Sequence, residues 1–268
     1  MSSPERARAI RKNGLLMVHR AKASHIGSVL SIADIVAVLY DKVMRYESKN
    51  PSDPLRDRFI LSKGHACVAV YAALAEFSII GYEQLLTYGQ DFSVLMNHIS
   101  HKVPGVEFST GSLGHGLPFG VGKSLAAKRQ GADWRTFVLM SDGELDEGSN
   151  WEAFMFAAHH KLDNLVAIID YNNMQSLTTV DKTLRIEPLA EKLTAFGWSV
   201  CEVDGHDHAE LTSALNTIPW VHGRPSVLIA HTTKGKGVSF MENQVEWHYR
   251  SPNTEELAVA MAEIEGAQ

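Results

Sequence analysis

Two short, mostly apolar runs, Thr136-Phe-Val-Leu-Met140 and Leu165-Val-Ala-Ile-Ile169, flank a stretch at 150–162 whose apolar positions recur at helical spacing. A run of this length bounded by polar turns reads as a strand buried on both faces. Strand, helix and strand in so few residues form a crossover between parallel strands. The same alternation continues along the chain. A helix is expected over 4–23, with Ser3 as its cap and Pro4 at its first position. Another is expected over 31–40, where Ser31 stands three residues before Asp34 as a capping pair. A strand at 58–61 is followed by Gly64-His65 and an alanine-rich helix at 67–77. The glycine-rich turn Thr110-Gly-Ser-Leu-Gly-His-Gly116 feeds a helix at 117–129. Later, helices at 188–196 and 208–218 alternate with strands at 198–203 and 226–230, and a final helix is expected over 253–265. The pattern predicts an α/β fold with a mostly parallel sheet and helices on both faces. The order of the strands does not follow from it.

Each central run ends in a polar cluster, Ser141-Asp142-Gly143-Glu144 after the first and Asp170-Tyr171-Asn172-Asn173 after the second. Parallel strands joined by a crossover deliver both clusters to the carboxyl edge of the sheet, where open α/β folds bind ligands. Asp-Gly and Asn-Asn are each ordinary turn chemistry when taken alone. Together, at equivalent strand ends, they point to more than a turn. One carboxylate and one amide oxygen beside a glycine suit magnesium, which takes few protein ligands and shares the oxygens of a bound phosphate. Gly143 would let a phosphate approach the backbone closely. Glu144, Asp146 and Glu147 would repel a bare diphosphate, so a cation is needed to bridge it. Magnesium is the expected ion, with calcium or manganese as other hard divalent cations.

Composition narrows the field. A net charge of −6 over 268 residues argues against nonspecific binding of nucleic acid or acidic membranes. An apolar fraction of 45% allows a sizeable core. Cys67 and Cys201 have no CxxC spacing and read as reduced packing residues of a cytoplasmic protein. The first residues lack the apolar stretch of a signal peptide, and no run reaches bilayer length. With no Pro/Gly/Ser linker, residues 1–268 are expected to form one domain. Of the thirteen histidines, His159 and His160 fall within a helix and receive no role. His101, His115, His206, His208, His222 and His231 default to structural or solvent positions. His25, His65, His98 and His248 stand beside glycines, turns or strand ends, where a neutral imidazole could exchange protons with hydroxyl groups.

Several spaced motifs carry a family resemblance. Ser141-Asp-Gly-Glu-Leu-Asp-Glu-Gly followed by Asp170-Tyr-Asn-Asn is similar to the thiamine-diphosphate motif. Nearly the whole chain resembles the amino-terminal subunit of split transketolases, through Ser24-His-Ile-Gly27, Leu61-Ser-Lys-Gly-His-Ala66, Pro104-Gly-Val-Glu107, Thr110-Gly-Ser-Leu-Gly114, Trp151-Glu-Ala153, Thr233-Lys-Gly-Lys-Gly237 and Trp247-His248. The resemblance implies a thiamine-diphosphate-binding fold in which Asp142, Asn172 and the carbonyl of Met174 hold the cation. It implies cofactor contacts at His65, Gly111, Leu113, Asp142, Gly143, Glu144, Asn172 and His248. Catalytic positions would be His25, His65, His98 and His248, with His25 and His98 reaching sugar hydroxyls. Glu147 would lie at an interface with the partner's catalytic glutamate.

The implied activity is transfer of a two-carbon ketol unit from a ketose, or ketose phosphate, to an aldose acceptor. The second domain, which in the family grips the cofactor's aminopyrimidine, is expected to be absent from this chain. A carboxy-terminal subunit is therefore expected as partner, in a heterotetramer with two copies of each chain. Two departures stand out. Ser141 replaces the usual first glycine of the motif, and Tyr249-Arg250 follow His248 where the family often has glycine. That bulk lies where a substrate could enter, and Arg250 either holds an anionic group or is a solvated residue. A 2-oxoacid dehydrogenase subunit shares the cofactor motif, but the histidine set suits polyhydroxylated substrates. A catalytically idle regulatory or binding subunit is the alternative from another class.

Overall fold

In a computed structural model that describes residues 1–266, five parallel strands form one sheet. The strands are β1 (Arg58–Leu61), β2 (Thr136–Ser141), β3 (Leu165–Tyr171), β4 (Ser199–Asp204) and β5 (Ser226–His231), in spatial order β1-β2-β3-β5-β4. The helices are α1 (Ser3–Ala21), α2 (Ile26–Val38), α3 (Cys67–Glu76), α4 (Tyr82–Leu85), α5 (Gly116–Gln130), α6 (Gly148–His159), α7 (Val180–Thr183), α8 (Leu189–Ala195), α9 (His208–Asn216) and α10 (Thr254–Gly266).

Alternation along the strands explains the two layers of helices. Phe59, Phe137, Leu139, Val166, Ile168 and Leu228 pack on one face with residues of α1, α2, α3, α9 and α10. Ile60, Val138, Met140, Ala167, Ile169 and Val227 pack on the other with residues of α5, α6 and α8. Because both faces are covered, β2 is buried along its whole length, which is why its sequence reads as a continuous apolar run. The expected α/β fold with helices on both faces is the one observed.

Some element boundaries differ from the pattern, for physical reasons. Ser2, not Ser3, caps α1: its backbone N–H donates to Glu5 Oε2 at 2.6 Å. The second helix begins at Ile26 rather than 31, and every residue of α2 is buried. A helix buried all round has no polar stripe to mark its start, so its amphipathic signal is absent. Ser31 is therefore no cap; it sits mid-helix and donates to Asp170 at 2.6 Å. The expected final helix is present as α10; residues 267–268 lie outside the described part. Among the described residues, no helix is long and apolar enough to cross a membrane.

Candidate active site

β2 and β3 are hydrogen-bonded neighbours, and their register pairs Ser141 with Asp170. The first residues beyond the two strands, Asp142 and Asn172, thus leave the same edge of the sheet. Both line a cavity of about 290 Å³ at that edge. The loop after β1 and the segment after β5 complete the wall with Lys63, His65 and Lys234. Gly64 permits this assembly: a Cβ there would stand 2.4 Å from the carbonyl oxygen of Thr110, so only glycine lets the two loops meet.

Beneath the cavity lies a sealed polar floor. Asp170, wholly buried on β3, accepts hydrogen bonds from Ser31, from Asn172 Nδ2 at 2.9 Å, from Thr232 and from the buried ammonium of Lys63. Burial opposes ionisation of Asp170, but the Lys63 charge and these bonds outweigh it and hold the carboxyl below its ordinary range. Glu144 is equally buried and accepts from Ser62 Oγ and from the backbone N–H groups of Gly114 and Ser141. It ties three loops together. It does not line the cavity, which corrects the expectation of a direct cofactor contact. Glu147 also stands outside the cavity, exposed at the start of α6 and packed beside Gly114.

Asp142 is different. Its oxygens accept one backbone N–H each, from Gly143 at 2.7 Å and Asn173 at 2.5 Å, and no basic side chain bonds to it. Burial, reinforced by the neighbouring charge of Asp170, pushes its carboxyl up to about 7. The ammonium of Lys63, which also lines the cavity, is already committed to Asp170. Asn172 gives its Nδ2 to Asp170 and turns its Oδ1 to Met174 N at 3.1 Å. A buried carboxylate without a countercharge, next to an oriented amide oxygen, fits a hard cation. Among the described residues, no three His, Cys, Asp or Glu side chains are placed to hold an ion by themselves. An ion here would complete its shell with oxygens from a bound ligand, as magnesium does on phosphates.

Four imidazoles converge on the same space. The ring centroids of His25 lie 5.0 Å from His65, 5.0 Å from His248 and 6.0 Å from His98. His25 adopts left-handed backbone geometry (φ 75°) at the start of α2, where its N–H donates to the carbonyl of His248 at 2.8 Å. Burial, then the charges of His98, Lys234 and Lys63, lowers His25 to about 4. Burial and Lys234 lower His248 to about 3, and burial with Lys63 takes His65 well below its ordinary value. These three rings are therefore neutral at neutral pH, each able to donate through one nitrogen and accept through the other.

The cavity brings together His25, His65, His98, His248, Gly111, Leu113, Asp142, Gly143, Asn172 and Met174. Gly143 stands on the wall, where a Cβ would meet the side chain of Gln175 at 2.9 Å. Ser141 and Tyr249 both line the wall. Arg250 does not reach the cavity. It pairs with Glu246 and Glu256 and lies over the ring of Trp247, which excludes it as a holder of an anion there. Sequence reasoning gave no role to Lys63 and Lys234. Both lie within three residues of a strand's carboxyl end, the position that had singled out Asp142 and Asn172. Lys234 Nζ donates to the carbonyls of Met174 and Gln175 and to His248 Nδ1. Burial and the Lys63 charge lower Lys234 to about 8.

Comparison with known proteins meets this geometry. A family profile described as "Transketolase, thiamine diphosphate binding domain" matches residues 3–264. The chain is 43% identical over 254 residues to an apulose-4-phosphate transketolase subunit of Phocaeicola vulgatus, covering 95% of this chain and 90% of that protein. It is 38% identical over 260 residues to a 6-deoxy-6-sulfo-D-fructose transketolase subunit of a Clostridium species, covering 97% and 94%. Among solved structures, the transketolase of Campylobacter jejuni superposes with a TM-score of 0.92 at 32% identity, over 98% of this chain and 42% of that one. The transketolase of Leishmania mexicana gives 0.91 at 32% identity, over 99% and 41%. The chain thus spans about two-fifths of those solved transketolases.

Proposed function

The chain belongs to the transketolase family, through its thiamine diphosphate binding domain, and we propose that it is one subunit of a split transketolase. In this reading the assembled enzyme moves a two-carbon ketol unit from a ketose phosphate to an aldose phosphate. The observation that carries the proposal is the meeting of neutral imidazoles with the Asp142–Asn172 pair in one cavity. Relatives of nearly the same length bear the names of transketolase subunits acting on phosphorylated or sulfonated sugars, which supports a partner chain and such substrates.

Asp142, the Oδ1 of Asn172 and the carbonyl of Met174 would hold a divalent cation, with magnesium the best match to one carboxylate and neutral oxygens. His65, His248, Gly111 and Leu113 would contact thiamine diphosphate, which supplies the electron sink for carbon–carbon cleavage when bound. The chain's own residues do the positioning. Lys234 donates to Nδ1 of His248, so the ring proton lies on Nε2, ready to donate to a carbonyl or hydroxyl oxygen. His25 and His98 can hold sugar hydroxyls and take or return their protons. The buried Lys63–Asp170 pair fixes the wall on which these groups stand.

The pyrimidine-binding domain would come from a separate subunit, in an assembly of two copies of each chain, with the exposed Glu147 facing it. The reading places the enzyme in the cytoplasm, where its two unpaired cysteines stay reduced. The names of the relatives favour it over a 2-oxoacid dehydrogenase subunit or an idle regulatory one. The test is a ketol-transfer assay with thiamine diphosphate and magnesium. The chain alone should be inactive, and activity should appear on adding the subunit that carries the pyrimidine-binding domain. Robust transfer by the single chain would refute the split arrangement.

A further inference from the structure

The chain folds back on itself soon after β3. Gln175 N–H donates to the carbonyl of Thr178 at 2.8 Å, and Met174 pairs with Thr179 in an antiparallel bridge. Leu177, at the tip of this hairpin, is 80% exposed, so little packing holds the tip in place. The anchors lie at its base. Lys234 Nζ donates to the carbonyls of Met174 and Gln175, at 3.4 and 3.1 Å. The side chain of Gln175 reaches to the turn Gly143–Asp146, where its Nε2 donates to Asp146 Oδ2 at 2.9 Å.

Turn and hairpin carry different ligands of the proposed cation. Asp142 caps the turn, and the carbonyl of Met174 belongs to the hairpin. Asn173 N–H joins them by donating to Asp142 Oδ2 at 2.5 Å, but that bond occupies an atom the cation would use. The Gln175–Asp146 bond involves no ligand atom, so a cation need not disturb it. Asp146 has nothing else to hold: its Oδ1 is buried without a partner. Gly143, lacking a Cβ, leaves room for the stem of Gln175 to lie against the turn. Gln175 lines the cavity beside Asp142 and Met174, whereas Asp146 does not.

A fixed span between ligands matters more to one hard cation than to another. Magnesium demands near-octahedral oxygens at about 2.0–2.1 Å, while calcium accepts variable arrangements at about 2.3–2.6 Å. Resting on the cation site proposed above, we infer that Gln175 is a positioning residue. Its grip on Asp146 fixes the span between Asp142 and the Met174 carbonyl, and thereby favours magnesium over calcium.

The test is calorimetric titration of the full chain with thiamine diphosphate over a range of magnesium or calcium concentrations. Wild type is compared with Gln175→Met, which keeps the stem but not the amide, with Asp146→Ala, and with the double variant. Each single variant should raise the half-saturating magnesium concentration about tenfold, as loss of a group that orients a metal ligand does. The calcium requirement should change by less than about threefold, since calcium tolerates a looser site. The double variant should match the single ones, because both remove the same bond. Equal weakening with the two ions, no weakening with magnesium, or additive effects would overturn the inference. Wild-type binding that ignores both ions would instead sink the cation site itself, and this role with it.

Discussion

Lys234 Nζ stands 3.0 Å from His248 Nδ1 and also reaches the carbonyls of Met174 and Gln175. One ammonium thus ties the loop after β3 to a histidine brought in from the far end of the chain. After burial, its charge is the largest influence holding His248 down at about 3. In Lys234→Met, the His248 midpoint should rise toward the ordinary value near 6.5, and the ring should lose its fixed tautomer. Titration of the ring protons by NMR reads both. A midpoint that stays put would remove Lys234 as the group that sets this imidazole.

The depressed histidines make stability depend on pH with a definite sign. His25 titrates near 4 and His248 near 3 in the folded chain, against about 6.5 unfolded. Between those values the unfolded chain binds protons that the folded chain refuses. Their contribution is complete above about pH 6.5 and is lost as pH falls toward 4. Urea midpoints measured across that window should decline with acidification, and His25→Gln should flatten the slope. A wild-type profile level through the window would contradict the assignment.

Asp142→Ala removes a carboxylate that burial and Asp170 have pushed up to about 7. No basic side chain is stranded by the change, so the fold should survive, with circular dichroism unaltered. Calorimetric binding of thiamine diphosphate in the presence of magnesium should disappear. Retained affinity would count against this residue as the cation's anchor.

Lys63→Met has the opposite character. Lys63 and Asp170 are both sealed from solvent, and removing one partner leaves the other charge without compensation. A loss of about 3–5 kcal/mol of stability is expected from breaking such a pair. Lys12→Met, at the exposed bridge to Glu265, should cost less than about 1 kcal/mol. Equal urea midpoints for the two variants would show that the buried pair has no such weight.

Tyr249 lines the cavity with its ring 4.7 Å from His248 and 6.2 Å from His25, yet remains largely exposed. It narrows the entrance. In the assembled enzyme, Tyr249→Gly should raise kcat/KM for a longer ketose relative to a shorter one, by about tenfold. An unchanged ratio would exclude the ring as a selector of donors.

The pairing of Asp142 with Asn172 was legible because strands that run parallel through a buried sheet display both their apolar runs and their polar ends in sequence. The converging histidines were legible from their glycine and turn neighbours. Lys63 and Lys234 were not, since lysine is rarely buried and its side chain gives no local sign of the distant groups that hold it, Asp170 for Lys63 and the carbonyls of Met174 and Gln175 for Lys234. Ser31 was misplaced as a cap because the same hydroxyl that closes a helix end can serve a distant carboxylate. Glu144 sits in an acidic stretch that reads as solvent- or ligand-facing; only the tertiary contacts to Ser62 and Gly114 turn it inward.

Asp170 is a junction for α2, the loop after β1, the loop after β3 and the segment after β5. None of these four pieces can swing aside without breaking the others' hold. The back of the pocket must therefore loosen all at once or stay shut, and amide exchange along it should report a single shared opening.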